Sequence, residues 1–184
     1  MEELALNILD IACNSVRAEA TLITIEVCAD TKADRLIISV SDNGKGMSEE
    51  FLKTVTDPFA TTRKTRKVGM GIPLFRMAAL DTGGDFSITS KVGVGTVTKA
   101  EFVLSHIDRM PLGDLASTIV TLIGQAGSAD ILLKYSVDGR EYLFDTREVK
   151  EVLEGVDINS TEIIVYLKDM IDENITSING GSII

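Results

Sequence analysis

The chain has 184 residues, 45% of them hydrophobic, and sets 18 Lys and Arg against 28 Asp and Glu for a formal net charge of -10. That length can bury one moderate core plus a smaller part. No run of about eighteen apolar residues offers a membrane span, and the acidic balance argues against a nucleic-acid partner, because neutralising phosphates takes Lys and Arg.

The first predicted element is a helix over Glu3–Arg17. Its polar residues Asn7, Asp10, Asn14 and Arg17 recur at intervals of three and four, and at about 100° per residue they fall within roughly 80° of arc. Leu4, Ile8, Ile11, Ala12 and Val16 fill the core face. A solvated face is the plain explanation of such a stripe, but asparagine is a mediocre helix former and no Lys or Glu stands among the four. Locally unfavourable choices mark sites, so the stripe reads as functional. The helix has no basic leader and is interrupted by Asp10 and Asn14, so it does not read as a signal peptide.

Strands follow near Thr21–Cys28 and Arg35–Ser41, and the second runs straight into Asp42-Asn43-Gly44-Lys45-Gly46-Met47. A carboxylate at the end of a strand can accept a hydrogen bond from the exocyclic amine of adenine. Glycines two apart let backbone come close to a base or phosphate where a Cβ would clash. Taken alone, Asp-Asn-Gly is also an ordinary turn signal. Residues 48–68 then open with a helical patch, turn at Asp57-Pro58-Phe59 and continue Thr61-Thr62-Arg63-Lys64-Thr65-Arg66-Lys67. Four basic residues in five positions suit a triphosphate, with a solvated basic loop as the alternative.

Gly69-Met70-Gly71 leads into a helix over Ile72–Leu80, whose N-terminus favours anions. Strands near Asp85–Ser90 and Thr96–Leu104, linked through Gly93 and Gly95, read as an antiparallel hairpin. Helices on one face of a mixed sheet make an α/β two-layer sandwich over residues 1–105. Cys13 and Cys28 fall in predicted core elements without metal spacing and read as buried free thiols of a cytoplasmic protein.

After His106 the charge shifts: residues 1–105 carry 12 basic and 14 acidic side chains, residues 106–184 carry 6 and 14. This small α+β part reads as a helix over Leu112–Gln125, a hairpin over Ile131–Phe144 turned at Asp138-Gly139, a short helix from Thr146 to Leu153 with Asp145 and Glu148 as a capping-box-like start, and a helix over Thr161–Asn174. It offers no recognisable chemistry. A partner-binding module, a homodimer module and a structural extension of the first part all remain open. His106, between the last strand and Pro111, reads as a hinge or surface residue and not as a phosphoacceptor.

Four boxes in order resemble the GHKL superfamily, which groups DNA gyrase, the large heat-shock chaperones, histidine kinases, anti-sigma-factor serine kinases and mismatch-repair ATPases. They are Asp10-Ile11-Ala12-Cys13-Asn14, Asp42-Asn43-Gly44-Lys45-Gly46, Gly69-Met70-Gly71-Ile72-Pro73-Leu74 and Gly93-Val94-Gly95-Thr96. The resemblance covers residues 1 to about 105, and small stand-alone members resemble the chain along its length. It implies the Bergerat-type ATP-binding fold, with ATP or ADP and Mg²⁺ as ligands and a protein as partner. Asn14 would be the Mg²⁺ ligand, and Asp10, where the family's ATPases carry Glu, would orient or deprotonate an attacking water or hydroxyl. Asp42 would bind the adenine amine with Thr96 in support. Gly44, Gly46 and Met47 would border the base, and the backbone at Gly69, Met70 and Gly71 would hold phosphates. Residues 48–68 would be the lid, bringing Thr61, Thr62 and Lys67 to the nucleotide. Phosphoryl transfer to a partner protein, or slow hydrolysis, is the implied activity. The alternative is a nucleotide-gated binding module, which the short Asp10 favours.

Overall fold

In the computed structural model, residues 3–55, 70–182 and 184 are described. The elements are α1 (Leu4–Arg17), β1 (Leu22–Asp30), β2 (Arg35–Asp42), α2 (Glu49–Val55), α3 (Gly71–Asp81), β3 (Asp85–Lys91), β4 (Gly95–Val103), α4 (Leu115–Gln125), β5 (Asp130–Val137), β6 (Arg140–Asp145), α5 (Thr146–Val152) and α6 (Thr161–Asn179). Among the described residues no helix is long and apolar enough to cross a membrane.

Six strands form one mixed sheet in the order β3-β4-β2-β1-β5-β6. Neighbouring pairs are antiparallel except β1 with β5, which run parallel from Leu22 opposite Asp130 to Ala29 opposite Val137. The strands' alternation selects which face is covered. Ile23, Ile25, Val27 and Ala29 of β1, Leu36, Ile38 and Val40 of β2, and Ile131, Leu133, Tyr135 and Val137 of β5 are all buried. Packed over that face are α1, α3, α4 and α6, so the architecture is the expected α/β two-layer sandwich. At the β3 end Phe75 of α3 meets Phe86 edge-on with ring centroids 6.3 Å apart and lies 5.7 Å from Phe102, as aromatic quadrupoles favour.

The segment after residue 105 does more than follow the first part. Its strands β5 and β6 extend the same sheet, and Leu115, Ile119 and Leu122 of α4 join one buried cluster with Leu4, Ile8 and Ile11 of α1. Backbone bonds tie the junction: Leu4 and Ala5 N–H donate to the carbonyls of Pro111 and Leu112, and Leu112 N–H donates to that of Ile184. Two free donors at the start of α1 are thereby satisfied from the far part of the chain.

The thiols depart from expectation. Both cysteines are free, but Cys28 is exposed and Cys13 only half-buried. Cys28 points to the uncovered face of the sheet because it alternates with the buried Val27 and Ala29 on β1. The helical stripe also breaks at one end: Asn7 is fully buried, whereas Leu6 is 42% exposed. The packing of α1 against α3 and α4 has turned Asn7 inward, a rotation that periodicity does not disclose.

Candidate nucleotide site

One end of β2 carries the centre of the site. Asp42 closes the strand, and both of its carboxylate oxygens are engaged from the protein side: Ser15 Oγ donates to Oδ2 at 2.6 Å and the Gly44 N–H to Oδ1 at 2.9 Å. These bonds fix the carboxylate's orientation and leave each oxygen a further lone pair. Ser15 is itself buried on α1. The sequence reading gave it no role, although a hydroxyl on the apolar face, four residues after Ile11, needs a partner and so announces one.

Backbone packing decides the conformation of the loop after Asp42. Asn43 Oδ1 accepts from the N–H groups of Thr21 and Leu22, both at 2.9 Å, and its Nδ2 donates to Thr21 Oγ1 at 2.8 Å. Asn43 thus clamps the loop to the α1–β1 junction. Lys45 N–H donates to the Ala18 carbonyl, and the Lys45 carbonyl accepts from Gly93 N–H at the tip of the β3–β4 hairpin. A Cβ at Gly44 would stand 2.6 Å from the Ala18 carbonyl oxygen, one at Gly46 would strike the Lys91 carbonyl and one at Gly95 the Asp42 carbonyl. Gly46 also holds φ of 67°. In this structure these glycines let backbone approach backbone, clamping the hairpin onto the Asp42 loop.

The hairpin delivers Thr96 opposite Asp42 in the β2–β4 register. Its hydroxyl lies 2.8 Å from Ser90 Oγ, which donates to the Gly95 carbonyl and accepts from Met47 N–H. With the Ser90 proton on Gly95, Thr96 donates to Ser90 and keeps its own oxygen as an acceptor.

Between α1, the sheet end and α2 opens a cavity of about 930 Å³, within the range of pockets that hold a nucleotide-sized ligand. Asp42 and Thr96 line it beside apolar Ile11, Val40, Phe51 and Ile72, with Gly46 and Met47 at the loop and Asn14 on α1. Asn14 Oδ1 accepts from Arg17 Nη1 at 3.1 Å. Arg17 and Lys45 line the same cavity and supply positive charge that the sequence reading did not assign.

Not every expected residue reaches the cavity. Gly44 is buried behind the loop, and Asp10 is exposed and does not line the cavity. Asp10 instead packs on the first residue of α3, where a Cβ at Gly71 would stand 2.7 Å from Asp10 Cβ. Met70 is exposed at the head of α3, where its own side chain makes no capping hydrogen bond. Thr61, Thr62, Arg63, Lys67 and Gly69 lie outside the described residues.

The family description histidine kinase-, DNA gyrase B-, and HSP90-like ATPase matches residues 1–106, more than half of the chain. The chain belongs to this family. Three of the relatives it matches are bacterial kinases. Sporulation kinase D of Bacillus subtilis is 38% identical over 92 residues, covering 48% of this chain and 17% of that protein. Sporulation kinase C of the same organism is 30% identical over 89 residues, 48% and 21%. Sensor histidine kinase ZraS of Salmonella typhimurium is 32% identical over 91 residues, 49% and 19%. The chain spans about a fifth of the length of these relatives. Among solved structures, the Aquifex aeolicus MutL ATPase domain complexed with ADP superposes with a TM-score of 0.53 at 16% identity, covering 84% of this chain and 70% of that one. That likeness is one of fold, and its coverage of the chain is greater than residues 1–106 alone could supply.

Proposed function

We propose that this ATPase-family domain is a cytoplasmic protein that binds ATP in the cavity beside Asp42, with Mg²⁺, and transfers its γ-phosphoryl group to a partner protein or hydrolyses it slowly. The observation that carries the reading is the Asp42 carboxylate, oriented by Ser15 and Gly44 and facing an apolar slot between Ile11, Val40 and Ile72. An adenine amine would donate to the free lone pairs of Asp42, Thr96 would accept beside it, and the base would lie in the slot among Ile11, Val40 and Ile72. The ADP held by the MutL ATPase domain supports the choice of nucleotide.

The donor set fits the metal sparingly. Mg²⁺ keeps most of its waters and takes one or two protein oxygens with the substrate phosphates, and Asn14 offers one neutral carbonyl oxygen on the cavity wall. Bound there, the ion would screen phosphate charge. Arg17, Lys45 and the N-terminus of α3 would add positive potential for the phosphates, and Thr61, Thr62, Lys67 and the backbone at Gly69, Met70 and Gly71 would bind them. Asp10 would orient the attacking hydroxyl or water from beside Gly71.

Its place outside the cavity wall supports a second reading, in which nucleotide occupancy sets partner affinity without useful chemistry. In either case residues 1–105 form the nucleotide unit and residues 106–184 the partner or homodimer surface, a role supported by exposed Val152, Val156, Val165 and Tyr166. Calorimetric titration of ATP with and without Mg²⁺, followed by phosphate release over hours, separates the readings. Binding whose Mg²⁺ dependence is lost in Asn14→Ala, with turnover that Asp10→Asn abolishes, is the expected result. Tight binding without turnover selects the gated module, and absence of binding overturns both.

A further inference from the structure

Ser90, near the end of β3, does not itself line the nucleotide cavity, yet its half-buried hydroxyl governs a residue that does. Its Oγ lies 3.0 Å from the Gly95 carbonyl oxygen, 2.8 Å from the Met47 nitrogen and 2.8 Å from Thr96 Oγ1. A carbonyl only accepts and a backbone N–H only donates, so the Ser90 proton goes to Gly95 and one of its lone pairs receives Met47. Were that proton turned to Thr96, two oxygens would stand 3.0 Å apart with no hydrogen between them. The second lone pair therefore takes the Thr96 proton, and Ser90 is saturated.

The consequence falls on the cavity wall. Thr96 stands opposite Asp42 in the β2–β4 register, and both line the cavity. With its proton committed to Ser90, the Thr96 hydroxyl offers only lone pairs to a ligand. The Asp42 carboxylate does the same, since Ser15 and Gly44 donate to it. Directly opposed residues of an antiparallel pair have Cβ atoms about 4.5–5.5 Å apart, a gap that one amine can bridge with its two N–H groups. A ring nitrogen carrying a lone pair finds no donor on either side chain.

We propose that Ser90 is a positioning residue for base recognition: by holding the Thr96 proton it makes Asp42 and Thr96 a two-acceptor cradle for the exocyclic amine of a nucleobase. The site then reads the amine and leaves the neighbouring ring nitrogen unread. This rests on the nucleotide reading above and adds which atoms of the base are recognised. In Ser90→Ala the acceptor that holds the Thr96 proton is gone. The proton turns into the cavity, and the edge changes from two acceptors to one acceptor beside one donor, which also suits the adenine ring nitrogen.

The test is calorimetric titration of the full chain with ATP and with 1-deaza-ATP, which keeps the amine and replaces the adjacent ring nitrogen by C–H. The wild-type chain should bind the two within about twofold. In Ser90→Ala the preference for ATP should rise about fivefold, as one added neutral hydrogen bond allows, and Ser90→Thr, which keeps the hydroxyl, should restore the wild-type ratio. A merely structural Ser90 would weaken both nucleotides alike, so an unmoved ratio in a folded Ser90→Ala chain overturns the proposal. A wild-type preference for ATP well above about twofold overturns it too, and that comparison needs no variant to fold. Absence of ATP binding by the wild-type chain overturns the nucleotide reading and this inference with it, whereas ATP binding with either adverse ratio overturns this inference alone.

Discussion

Asp42 is the carboxylate to which the proposed function assigns the adenine amine. Its two protein donors, Ser15 Oγ and Gly44 N–H, hold it in place without using all its lone pairs. In Asp42→Asn the charge is removed and one acceptor becomes a donor. A charge-assisted hydrogen bond contributes about 1.5–3 kcal/mol, so calorimetry should show ATP affinity falling by about 10- to 100-fold. Unchanged affinity would remove Asp42 from the site. Gly46 is a different kind of residue, needed for geometry: its φ of 67° and the Lys91 carbonyl behind it exclude a side chain. Gly46→Ala should cost about 1–3 kcal/mol in urea unfolding, and wild-type stability would show that the clamp of hairpin on loop is dispensable. Asp42 and Gly46 were legible in the sequence because a strand-ending carboxylate and paired glycines are local patterns. Ser15 and Asn43 were not, since their partners lie 27 and 22 residues away.

Helix termini in this protein are capped by distant and by local means. The start of α1 is held by the Pro111 and Leu112 carbonyls, whereas α5 is started by its own Asp145, whose Oδ1 accepts the Arg147 N–H at 2.9 Å. Hydrogen bonds from the Arg147 side chain hold the Asp145 carboxyl below the usual carboxylate range, against the opposing effect of burial. The folded pKa being the lower one, this contribution to stability is complete above the unfolded value of about 3.9 and is lost as pH falls through the folded pKa. Asp145→Asn keeps an acceptor oxygen at the cap but removes the charge at the start of α5, so it should destabilise by about 0.3–1 kcal/mol near neutral pH. The gap between variant and wild-type urea midpoints should close below about pH 4, and a gap constant with pH would show that the charge plays no part. The short helix and its Asp145 start were readable in advance, as cap and first turn are adjacent. The rotation of α1 that buries Asn7 and exposes Leu6 was not, because two other helices set it.

At the scale of the whole molecule, the parallel pairing of β1 with β5 joins the acidic second part of the chain to the family domain in a single sheet. Leu115, Ile119, Leu122, Ile131, Leu133 and Val137 are fully or almost fully buried there. Burying each contributes about 1.5–3 kcal/mol, together comparable to the about 5–15 kcal/mol net stability of an ordinary domain. A chain ended at residue 105 would also expose β1 as an open edge. It should lack a cooperative thermal transition by circular dichroism and bind a hydrophobic dye, and a sharp transition would show that residues 1–105 stand alone. By itself the sequence determined the element order, the two-layer class and the family, because periodicity, turn glycines and the four boxes are written in residues close along the chain. Tertiary structure alone decided that β5 lies beside β1, that α1 turns Asn7 inward and that Asp10 rests on Gly71 outside the cavity wall. Those outcomes depend on which buried faces meet across a hundred residues, and the local pattern of a strand or helix is the same whichever neighbour it finds.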